Sequence, residues 1–105
     1  MKIELLYFDG CHNWQETLKE IKSLLADKRM SNEVDLIKVA SDQEAERLRF
    51  PGSPTIRIDE EDVDPEVPTS GFELDCRIYE VDGEFMGKPP MEWIDAALDA
   101  ANSAN

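Results

Sequence analysis

Long apolar runs are missing from this chain. Nowhere does it approach the about 20 successive apolar residues of a membrane-spanning helix. The opening Met1-Lys2-Ile3-Glu4-Leu5-Leu6-Tyr7-Phe8-Asp9 does not read as a secretory signal either, because Glu4 breaks its apolar run and Asp9 ends it early. The expected compartment is therefore the cytoplasm. Basic residues are scarce: Lys and Arg total 11 against 24 Asp and Glu, a net charge of −13. That balance argues against nucleic acid and against an anionic membrane surface as partners, since both need a positive footprint. Histidine and cysteine are scarcer still. One His and two Cys complete a four-ligand structural zinc site only with help from carboxylates, and no metal or cofactor is expected. In a reducing compartment, two cysteines point to reactive or incidental thiols before a permanent staple.

What is present fits one folded domain spanning 1–105. At 105 residues and 41% hydrophobic, the chain is long enough for one core and too short for two. Its acidity reads either as a solubilising surface or as adaptation to a high-salt cytoplasm, where screening tolerates self-repulsion. Residues 3–8 form an apolar first strand. Trp14, Leu18, Ile21 and Leu25 then make one stripe of a helix that fades near Asp27-Lys28-Arg29. Val34–Val39 reads as a second strand, and Ser41-Asp42-Gln43-Glu44 as a capping box opening a short helix through Leu48. This βαβ order predicts two parallel strands with a right-handed crossover. Thr55–Asp59 alternates as a strand, Asp59–Asp62 as a turn with Val63 returning, and 64–73 as a loop. Cys76–Val81 is the next strand, Asp82-Gly83 a hairpin turn, and the last helix starts near Pro89-Pro90 with Ile94, Ala97, Leu98 and Ala101 inward. The sum is an α/β fold of order β-α-β-α-β-β-α, with a mixed central sheet and flanking helices.

Two motifs carry chemistry. Cys11 follows the first strand and Gly10 and opens the first helix, where a helix N-terminus favours a thiolate. Gly52-Ser53-Pro54-Thr55 heads a later strand. Trp14 occupies the place of a second cysteine in a Cys-x-x-Cys pair, leaving a monothiol Cys11-x-x-Trp14. This combination resembles the thioredoxin superfamily over nearly the whole chain. The fuller pattern, Tyr7-Phe8-Asp9-Gly10-Cys11 with Asn13-Trp14, Gly52–Asp59 and Cys76-Arg77-Ile78-Tyr79, is similar to a small prokaryotic group described as thioredoxin-like. Some members of that group are selenoproteins, and they are often labelled alkylmercury-lyase-like. Pro commonly follows the Cys there, whereas this chain has His12. The resemblance implies thiol–disulfide chemistry with a thiol or disulfide substrate, protein or small molecule. It also implies a cis Ser53–Pro54 bond, whose preceding backbone pairs with a substrate chain.

Cys11 is thus the expected nucleophile, against the alternative of a small buried hydrophobe. His12 is a candidate base, thiolate partner or metal ligand, with an exposed histidine at a helix start as the plainer reading. Ser53, Pro54 and Thr55 are candidate substrate-binding residues. Trp14 either covers the thiol and contacts substrate or belongs to the core stripe. Asp9 either caps the first helical turn or faces the site. Asp59, Glu60, Glu61, Asp62 and Asp64 lack the glycine and bidentate Glu of a calcium loop and read as an exposed acidic turn. Cys76 depends on chain routing. If the chain reverses at Asp59–Asp62, Cys76 returns to Cys11 as a resolving thiol. If 55–64 runs on as one strand, Cys76 lies at the far end. Three functions follow: a thiol–disulfide oxidoreductase, a soft-metal (Hg or Cu) thiolate site or non-catalytic interaction module of the same fold, and an organomercurial-lyase-like activity with Asp9 as acid.

Overall fold

A computed structural model describes residues 1–103 of the chain. Its elements run β1 (Ile3–Tyr7), α1 (Asn13–Asp27), β2 (Val34–Lys38), α2 (Asp42–Arg47), β3 (Thr55–Ile58), β4 (Glu61–Asp62), β5 (Tyr79–Val81), β6 (Glu84–Met86) and α3 (Met91–Ser103). β1 is central in a mixed four-stranded sheet of order β2-β1-β3-β4, parallel to β2 and antiparallel to β3. Among the described residues, β5 and β6 pair only with each other, as a separate hairpin.

Both faces of β1 are covered, which explains its unbroken apolar run. Ile3 and Leu5 join Ile56 and Ile58 of β3, Ile21 and Leu25 of α1, and Ile94 and Leu98 of α3 in the main core. Leu6 points the other way and packs with Val39, Ala45 and Phe50 around α2. The helical stripe therefore faces inward as expected, with Trp14 and Leu18 half-buried at its margin. No helix among the described residues is long and apolar enough to cross a membrane.

The local turn signals are realised. The Ser41 hydroxyl accepts a hydrogen bond from the Glu44 N–H at 3.1 Å and caps α2. Replacing Ser41 with Ala is expected to lower unfolding free energy by about 1 kcal/mol. Urea denaturation checks this, and an unchanged midpoint would deny the hydroxyl a capping role. Asp82 and Gly83 both take positive φ (52° and 82°), as a two-residue hairpin turn of the primed type requires.

The chain does reverse at Asp59–Asp62. Asp59 and Glu60 have φ of 51° and 72°, and Ile58 then pairs antiparallel with Glu61. The turn is tied to the chain start: the Lys2 N–H donates to Asp59 Oδ1 at 2.8 Å, and the Asp59 N–H donates to the Lys2 carbonyl at 2.8 Å. This reversal sends 64–78 back along the molecule toward Cys11.

Two expectations need correction. Residues 76–78 do not belong to a regular strand, because their backbone is spent on a single parallel bridge between Cys76 and Ser53. The acidic segment is not uniformly exposed. The Asp62 and Asp64 side chains are only 5% and 11% accessible, because the returning chain lays Arg77 across them.

Candidate functional site

The site lies where the β1–α1 turn meets the start of β3. The Cys11 N–H donates to the Phe8 carbonyl at 3.1 Å, closing the turn that ends β1. His12 is the N-cap of α1 and supplies no side-chain cap, so the first N–H groups of the helix next to Cys11 are left without one. The His12 residue itself is exposed. Asp9 does not cap the helix. It sits at the solvent-facing corner of the turn, and its carboxylate pairs with Lys38 of β2 at 2.7 Å. Trp14 stacks on Tyr7 with ring centroids 4.1 Å apart and packs against the main core.

The Ser53–Pro54 peptide bond is cis, and Ser53 and Thr55 are fully buried. Cys11 Sγ lies 3.5 Å from the Ser53 carbonyl oxygen. That oxygen also accepts the Arg77 N–H at 2.9 Å, and the Ser53 N–H donates to the Asp75 carbonyl at 2.8 Å. Both hydrogen-bonding groups of the Ser53 backbone are thus taken by the chain's own 75–77 segment. The backbone expected to pair with a substrate chain is already paired internally.

Cys76 stands between those two contacts and forms a disulfide with Cys11, with Cα atoms 5.6 Å apart. This lies within the about 4.4–6.8 Å a disulfide spans. The missing neighbour of Cys11 is therefore supplied from 65 residues away. The two cysteine residues are unequally placed. Cys11 is 3% accessible, whereas Cys76 is exposed.

What holds Cys76 there was not visible as a motif. Arg77 is 2% accessible and makes a two-pronged contact with Asp62, Nη1 to Oδ2 at 2.7 Å and Nη2 to Oδ1 at 3.3 Å. It also reaches Asp64 Oδ2 at 3.1 Å and Thr55 Oγ1 at 3.1 Å. Its guanidinium lies over the Tyr79 ring, 4.3 Å from the centroid. Burial opposes the Arg77 charge, but Tyr79, Asp62 and Asp64 outweigh it and hold its pKa above the usual value. Burial likewise pushes the Tyr79 phenol well up, with Arg77 opposing only in part. The Tyr79 hydroxyl therefore keeps its proton and donates it to the Pro54 carbonyl at 2.5 Å. Gly52 is needed for the same close approach. Its φ is +136°, and a Cβ there would lie 2.8 Å from the Arg77 backbone. Further along the loop, the Leu74 N–H donates to Asp42 Oδ1 at 3.1 Å.

Cys11, Cys76, Ser53, Pro54 and Thr55 thus converge, while His12 and Trp14 flank the site on α1. Arg77, Asp62, Asp64 and Tyr79 are the additional residues that build it. Alternation puts Arg77 and Tyr79 on the same side of the segment after Cys76, but nothing local pairs that side with Asp62 and Asp64. Among the described residues, no group of three or more His, Cys, Asp or Glu is placed to hold a metal ion. Comparison with protein-family models, curated proteins and solved structures finds no match for this chain.

Proposed function

We propose that Cys11 and Cys76 form a redox-active pair that exchanges with thiols and disulfides on a thioredoxin-like scaffold. The observation that carries the reading is the convergence of both sulfurs at the start of α1, beside the cis Ser53–Pro54 bond. The scaffold reading draws support from the parallel β1–β2 pair, the antiparallel β3, and α1 and α3 on one sheet face with α2 on the other.

The chemistry balances within the pair. In the dithiol, one cysteine thiolate attacks a substrate disulfide and expels one substrate sulfur as thiolate, which takes up a proton. The second cysteine thiolate then attacks the mixed disulfide and releases the other substrate sulfur. Two hydrogens pass to the substrate and the protein is left as the disulfide. The reverse sequence oxidises a dithiol substrate. A partner thiol or disulfide, protein or small molecule, is the only co-reactant required.

Wild-type protein is expected to accelerate the reduction of a model peptide disulfide by excess dithiothreitol. Cys11→Ser and Cys76→Ser should each lose most of that acceleration, because a lone thiol has no internal partner and its adduct waits for a dithiothreitol thiolate to release it. A single-cysteine variant with full activity would refute a paired mechanism.

The same convergence suits a second reading, since two thiolates brought together are ligands for a soft ion such as Hg(II) or Cu(I). Titration with Hg(II) under a competing thiol separates the two. Tight stoichiometric binding by the reduced protein, with no acceleration of exchange, would favour the binding site.

A further inference from the structure

We propose that outside sulfur reacts with this pair at Cys76, and that Cys11 is the buried resolving thiol. The inference rests on the exchange reading above and reverses the order that the position of Cys11 at a helix start suggests.

Access decides the point of attack. Thiol–disulfide exchange needs the incoming thiolate to approach in line with the S–S bond, on the side opposite the leaving sulfur. An approach to Cys76 in line with Cys11 comes from outside, and Cys76 is exposed. An approach to Cys11 in line with Cys76 meets the protein, because the Cys11 residue is 3% accessible and the Ser53 carbonyl stands 3.5 Å from its Sγ. Reduction therefore begins with an outside thiolate bonding to the Cys76 sulfur. The Cys11–Cys76 bond breaks, and Cys11 leaves with the electron pair and takes up a proton. A second outside thiolate then attacks the adduct, and Cys76 is released. In the oxidising direction the Cys76 thiolate attacks an outside disulfide and expels one of its sulfurs. Cys11 displaces the other from Cys76 and restores the internal bond.

The same polarity holds in the dithiol, because the cover over Cys11 does not depend on the disulfide. Segment 75–77 is held on Ser53 by two backbone hydrogen bonds. Arg77 anchors it to Asp62, Asp64 and Thr55, and Tyr79 to the Pro54 carbonyl. Breaking the S–S bond removes none of these contacts. The partner has no free Ser53 backbone to pair with, so it needs only an accessible thiol or disulfide sulfur. Such a sulfur comes from a small molecule or from a polypeptide cysteine.

The test uses full-length reduced Cys11→Ser and Cys76→Ser proteins, each mixed with oxidised glutathione in one arm and a cysteine-peptide disulfide in the other. Adduct formation is followed by intact mass. Cys11→Ser, which keeps Cys76, is expected to form the adduct on the order of tenfold faster or more, since access controls the rate. The faster arm identifies the source of sulfur. Equal rates, or a faster Cys76→Ser protein, would overturn the proposal. Pulsed iodoacetamide labelling of reduced wild type, read by peptide mapping, judges it without a redox partner. Cys76 should label before Cys11, and the opposite order would overturn the assignment. If Cys76 labels first but neither disulfide arm gives an adduct, the exchange reading fails while the order of access stands.

Discussion

Replacing Arg77 with Met is expected to lower the unfolding free energy of the reduced protein by about 3–5 kcal/mol. The loss comes less from the missing attraction than from what is left behind. Asp62 and Asp64 are 5% and 11% accessible, and without Arg77 their carboxylates face burial with no compensating charge. Thr55 Oγ1 loses a donor, and the Tyr79 ring loses the cation stacked on it. Against the about 5–15 kcal/mol of stability usual for a domain, this is a large fraction. Urea denaturation in the presence of reductant measures it as a fall in midpoint at unchanged slope. A loss below about 1 kcal/mol would show that water reaches the carboxylates and that Arg77 is no anchor. Adding Asp62→Asn and Asp64→Asn to Arg77→Met should recover part of the loss, because the penalty lies in the stranded charges.

Removing the cross-link has an effect of similar size through a different state. A disulfide joining residues 65 apart restricts the unfolded chain, and for a loop of this length the chain-entropy relation gives about 4 kcal/mol. Oxidised wild type is therefore expected to exceed Cys76→Ser by about that amount in urea denaturation. Reduced wild type should fall close to the variant, because the contacts of Arg77 and Tyr79 survive reduction. A reduced protein much less stable than Cys76→Ser would mean that the free thiols disturb the packing. Equal stability of oxidised wild type and Cys76→Ser would mean that the cross-link constrains nothing. The effects of Arg77 and of the disulfide adjoin in space, so their combination need not be additive.

The parts of the fold written in local pattern were legible in the sequence. The α1 stripe, the Ser41 cap and the Asp82-Gly83 turn each depend on residues a few positions apart. The βαβ order followed from the alternation of strand and helix periods. The site was half legible. Cys11 and Ser53-Pro54-Thr55 mark the same end of the sheet, but whether Cys76 arrives there rests on one reversal at Asp59–Glu60. That turn has no glycine, and its anchor to Lys2 spans 57 positions, so the local reading of a turn could not by itself decide against a continuing strand. Arg77, Asp62 and Asp64 were invisible for a related reason. Each is a residue type that belongs on a surface, and only the crossing of two distant segments turns them into a buried ion cluster. The Ser53 edge shows the complementary limit: a backbone marked as a place for another chain is filled by the chain's own later segment.

Redox exchange at Cys11–Cys76 is tested most directly by equilibrating the full-length protein in dithiothreitol buffers of graded potential. Acid quenching, alkylation of free thiols and intact mass then follow each step. A single cooperative two-electron transition is expected, in which both thiols disappear together and no singly alkylated species accumulates. Cys11→Ser and Cys76→Ser should show no such transition. Persistence of two free thiols across the whole range, or loss of them one at a time, would contradict a redox pair at this site.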